Sequence, residues 1–67
     1  MADFLYQVDE DFVSREAFAK KMSYEPGILD LADAMDTVQR LEYDAMDNEA
    51  SAECRTQWMS SYIVTKL

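Results

Sequence analysis

The chain has no histidine, one cysteine, one glycine and one proline among its 67 residues. Each scarcity closes off a class of chemistry. Without histidine there is no Ser-His or Cys-His nucleophile pair, no HExxH zinc motif and no imidazole acid–base catalysis. Cys54 stands alone, so no internal disulfide can form, whereas small secreted domains usually depend on several. A reducing, cytoplasmic setting is expected. With only Lys and Glu as weak candidate bases, Cys54 is expected to be a small half-buried side chain and not a nucleophile. No base, nucleophile and oxyanion donor can be assembled, so the expectation is a protein that is not an enzyme.

Positive charge is also scarce. Six Lys and Arg stand against 14 Asp and Glu, a net charge of −8. Binding to nucleic acid or to an anionic membrane needs cations that displace counterions, so neither is expected as a direct partner. No apolar run approaches the roughly 20 residues of a membrane span. Met1-Ala2-Asp3 has neither the basic start nor the apolar run of a signal peptide. The acids do not follow a metal-site pattern either. An EF-hand loop needs oxygens at alternate positions and a glycine at its turn, and a di-iron bundle wants Glu-x-x-His. No metal or other cofactor is expected.

What is present is an ordinary apolar content of 49%, enough for an ordered core in one small domain spanning 1–67. A domain this short buries only about 60% of its unfolded surface, so a partner protein or a second copy is a reasonable expectation. Strong breakers cluster once, at Glu25-Pro26-Gly27. Before them, Asp9-Glu10-Asp11 reads as a solvated turn. Ser14 is a good N-cap for a helix over about 14–23, with Val13 and Phe18 at the two positions of a hydrophobic staple. Lys20 and Lys21 fall in its last turn, where the helix dipole favours cations. Phe18, Ala19 and Met22 form its apolar stripe.

After the breakers, 28–47 reads as a second helix. At about 100° per residue, Leu31, Ala34, Met35, Val38, Leu41, Ala45 and Met46 share one face, with only Glu42 intruding. Asp30, Asp33, Asp36, Arg40, Asp44 and Asp47 line the opposite face. A third helix over about 49–63, with Ala52, Cys54, Trp58, Met59 and Tyr62 inward, completes an all-α three-helix arrangement, which ranks first. One helix running on through this region is disfavoured, because Asn48 and Arg55 would fall on its seam. The alternative is α+β: Phe4–Val8 and the strand formers Tyr62–Thr65 pair as short terminal strands beside a helical hairpin. Two strands alone make a weak sheet.

The aspartate row is the feature that asks for a function. Like charges three or four apart repel by a few tenths of a kcal/mol per pair, and Asp is a poorer helix former than Glu. The row therefore costs local stability. Its acids rise about 4.5 to 6 Å per step, near the spacing of nucleic-acid phosphates. These features suggest a stoichiometric inhibitor or regulator that presents Asp30, Asp33, Asp36, Asp44 and Asp47 to a basic, nucleic-acid-binding surface of a partner protein. Small acidic phage inhibitors use that strategy. The rival is a structural or adaptor subunit held by apolar helix faces, with Trp58 and Tyr62 as its anchors.

Overall fold

The computed structural model describes residues 3–48 and 50–67. The elements run β1 (Phe4–Val8), β2 (Asp11–Val13), α1 (Arg15–Met22), α2 (Leu31–Asn48), β3 (Ser51–Arg55) and β4 (Ser61–Lys66). The strands form one antiparallel sheet in the order β2-β1-β4-β3, so the fold is α+β and the all-α expectation is overturned. In place of a third helix, the chain after α2 makes a β3–β4 hairpin. Glu49, expected to start that helix, lies outside the described residues, as do Met1 and Ala2.

The reason is a period of two hidden under a plausible helical spacing. Ala52 and Cys54 on β3, and Tyr62 and Val64 on β4, alternate toward the core. Only the strand places all four on one side while leaving Glu53 and Arg55 exposed. The β-branched run Ile63-Val64-Thr65 also prefers extended backbone. The weakness of a two-stranded sheet is overcome because β2 and β3 pair on the outer sides of β1 and β4.

Both helices lie on the face carrying Tyr6, Val8, Val13, Ala52, Cys54, Tyr62 and Val64. The other face, with Leu5, Gln7, Phe12 and Ile63, has no helix over it among the described residues, as is common for antiparallel sheets. At the centre, the Phe18 ring lies 5.4 Å from both Tyr6 and Tyr62, the latter edge-on.

Ser14 caps α1, its Oγ accepting from the Ala17 N–H at 3.1 Å. Phe18, Ala19 and Met22 are the buried side of that helix. Gly27 takes φ +91°, a conformation that a side chain would strain, and so closes the turn after Pro26. The second helix begins at Leu31 and not at Ile28, because Asp30 supplies its cap: Asp30 Oδ1 accepts from Asp33 N at 2.9 Å and its carbonyl from Ala34 N. Ala34, Val38, Leu41 and Ala45 are buried along α2, whereas Leu31 and Met46 remain exposed. Among the described residues, no helix is long and apolar enough to cross a membrane.

Candidate functional site

The two flanks of α2 differ in chemistry. One faces α1 and is closed by a polar network. Glu42 accepts from Arg15 Nε at 2.9 Å and Nη2 at 3.2 Å, and from the Tyr6 hydroxyl. The intruder on the apolar stripe thus joins α2 to α1 and β1. Burial pushes the Glu42 carboxyl up, but the hydrogen bonds from Arg15 and Tyr6 outweigh it and hold the acid below its usual range. The same contacts raise the Arg15 guanidinium, chiefly through its bond to Glu42. Desolvation, then the Glu42 bond, push the Tyr6 phenol up to about 12.

The aspartate row separates into two groups. Asp30 and Asp33 serve the start of α2: Asp30 is the cap, and Asp33 Oδ2 accepts from the Leu29 N–H at 3.0 Å. This answers why the chain uses Asp at position 30, where a short side chain reaches the N–H groups of the first turn; Asp33 takes the reciprocal role, as in a capping box. Asp36, Asp44 and Asp47 are exposed. Asp36 meets Arg40 Nη2 at 3.7 Å one turn on, and among the described residues Asp44 and Asp47 have no ion-pair partner. Two acids away from α2 are also occupied. Asp9 Oδ1 accepts from Ser61 N, and Glu53 accepts from the Ser61 hydroxyl.

Trp58 and Tyr62, expected together on one helix stripe, are pulled apart. Trp58 is 66% exposed at the tip of the β3–β4 hairpin, where Met59 beside it is 75% exposed and held at φ 64°. Met59 N donates to the Thr56 carbonyl, and Thr56 N to the Ser60 carbonyl, so the turn is a closed loop with a left-handed residue at its last position. Tyr62 is 2% exposed and belongs to the core. Its hydroxyl donates to Glu25 Oε1 at 2.9 Å, and desolvation followed by that bond pushes the phenol well above its ordinary range.

Glu25 is the one buried charged residue among those described, and its Oε2 is buried without a hydrogen-bond partner. Sequence reasoning missed Glu25, Arg15 and Tyr6; for the last two the signal was Glu42 standing alone in an apolar stripe. Between α1 and α2 lies an open groove of about 540 Å³, lined by Glu16, Lys20, Ser23, Tyr24, Leu31 and Met35. It contains none of the acids of the exposed row. Among the described residues, no three His, Cys, Asp or Glu side chains are grouped so as to hold a metal ion. Comparison with protein-family models, with curated proteins and with solved structures finds no match to this chain.

Proposed function

We propose that the chain is a non-catalytic binding module that holds a partner protein stoichiometrically, with the acidic outer side of α2 lying on a basic surface of the kind that binds nucleic acid. One observation carries this reading: Asp36, Asp44 and Asp47 stay exposed along twelve residues of one helix, about 16 Å, while Glu25, Glu42, Asp30 and Asp33 all have structural duties. Asp44 and Asp47, which have no ion-pair partner among the described residues, cost helix stability and contribute charge outward. With a net charge of −8 behind it, that charge speeds encounter with a cationic surface and weakens as salt screens it.

The test is affinity capture from lysate by wild type and by the Asp36→Asn, Asp44→Asn, Asp47→Asn triple variant, at low and high salt, with a short DNA duplex as competitor. The expected result is a partner retained by wild type, lost by the variant, and released both by salt and by the duplex. Identical capture by both proteins, insensitive to the duplex, overturns it. A second reading has its own support in the exposed Trp58–Met59 tip, which an adaptor would insert into an apolar pocket. In that case Trp58→Ala, and not the triple variant, abolishes capture.

A further inference from the structure

We propose that the outer edge of β3 is a docking site for an extended, basic segment of the partner, which joins the sheet as a fifth strand alongside α2. This rests on the acidic-surface reading above and names how that surface is engaged. The sheet order leaves β3 at an edge. Lys66 N bonds the Ala50 carbonyl and Thr56 N bonds the Ser60 carbonyl, so the even-numbered residues of β3 point their N–H and C=O groups inward to β4. The groups of Ser51, Glu53 and Arg55 therefore point outward, where no strand among the described residues receives them. Over that stretch the edge has no proline and no lysine, two of the residues that commonly discourage strand addition.

Charge says what fits there. Met35 and Glu42 lie on the α1 side of α2. Two residues turn a helix by about 200°, so Asp33 and Thr37, each two from Met35, and Asp44, two from Glu42, lie on the flank turned away from α1; α2 itself packs against β3 and β4, and α1 against β1. Arg40 shares that side, and its guanidinium is engaged by Asp36. In a strand added to β3, alternate side chains stand on the helix side of the sheet. Lysine or arginine at those positions meets Asp44, which has no ion-pair partner among the described residues, while the main chain bonds Ser51, Glu53 and Arg55. A second copy of this chain is a poor occupant, because β3-to-β3 pairing brings two such acidic flanks together.

The probe is a nine-residue peptide alternating lysine and valine, with two controls: the same peptide N-methylated at alternate amides, and one with glutamate for lysine. Binding is read by fluorescence anisotropy, and amide hydrogen exchange by NMR. The expected result is binding of the lysine peptide, with new protection at the amides of Ser51, Glu53 and Arg55. Affinity falls at least tenfold on N-methylation or with Glu53→Pro, which removes an outward N–H, and is lost for the glutamate peptide. Asp44→Asn weakens it severalfold. Should Glu53→Pro fail to fold, the N-methylated peptide and the wild-type protection pattern decide alone.

If the lysine peptide binds equally well N-methylated, with no protection at the edge, strand addition is overturned and the acidic-surface reading stands. If the lysine and glutamate peptides protect the edge equally, the basic character of the occupant is overturned. Edge protection that grows with protein concentration and no peptide assigns the edge to a second copy and overturns the proposal. Capture of partners that survives the Asp36, Asp44, Asp47→Asn triple variant refutes the acidic-surface reading separately.

Discussion

Replacing Glu42 with alanine should be among the most damaging single changes outside the apolar core. The substitution removes two hydrogen bonds from Arg15 and one from Tyr6. A bond to a charged group contributes about 1.5–3 kcal/mol and a neutral one about 1. Arg15 is 41% exposed at its side chain, so water recovers part of its loss, and the Tyr6 hydroxyl is left only part-buried. A total of about 2–3 kcal/mol follows from these values. For a domain of this size that lowers the melting temperature by about 8–24 °C.

The assay is urea unfolding followed by far-ultraviolet circular dichroism on wild type, Glu42→Ala, Arg15→Ala and the double variant. The coupling energy of the cycle should be at least about 1 kcal/mol. A pH series adds an independent check. The Glu42 carboxyl lies lower in the fold than its ordinary 4.5. Its contribution is therefore complete above that value and is lost as pH falls through the folded value. The gap between wild type and Glu42→Gln should narrow in acid, even though many other carboxyls protonate in both proteins. A single-variant loss below about 0.5 kcal/mol, the scale of an ordinary surface change, or a coupling of zero, would refute the assignment of Glu42 as the clasp between α1, α2 and β1.

Two further outcomes follow from the aspartates and the hairpin tip. Asp30→Ala should cost about 1 kcal/mol as a lost cap, while Asp44→Asn should be neutral or stabilising by a few tenths; thermal melts of the two variants separate the capping acids from the exposed ones. Met59→Gly should relieve the left-handed backbone at φ 64° and raise stability by about 0.5–1 kcal/mol after the greater freedom of unfolded glycine is subtracted. A thermal melt reads the gain, and a loss would show that the Met59 side chain is packed and not free.

The helices were legible in the sequence because their signals are local. Ser14 precedes its helix by one residue, and Ala34, Val38, Leu41 and Ala45 recur at helical spacing within a single element. The sheet was not, because its pairings join residues far apart: Tyr6 opposite Val64, Val8 opposite Tyr62. No window of the chain contains both partners. The segment 51–62 was ambiguous in itself, since Ala52, Trp58, Met59 and Tyr62 satisfy a helical period while Ala52, Cys54, Tyr62 and Val64 satisfy a strand period. The choice is made by what lies across from Tyr62 and Val64 on β1. At the candidate site, charge and its helical phase were visible, but the division between Asp30 and Asp33 as caps and Asp36, Asp44 and Asp47 as exposed acids depends on where α2 starts, which a three-residue shift in the boundary is enough to hide.

The central pair of the sheet is made from opposite ends of the chain, with Phe4 opposite Lys66 and Leu67 N donating to the Asp3 carbonyl. Its formation requires closing a loop of more than fifty residues, while each helix and the β3–β4 hairpin can form locally. During synthesis β1 can pair with β2 at once, but its side that meets β4 stays open until residues 62–66 leave the ribosome, and the helices have no finished sheet to rest on before then. Folding is consequently a late, near-simultaneous event for the whole domain. A linker of a few residues joining the two ends, with new termini opened at the Trp58–Met59 turn, would turn that slowest closure into a local hairpin and speed folding without altering a single contact of the core.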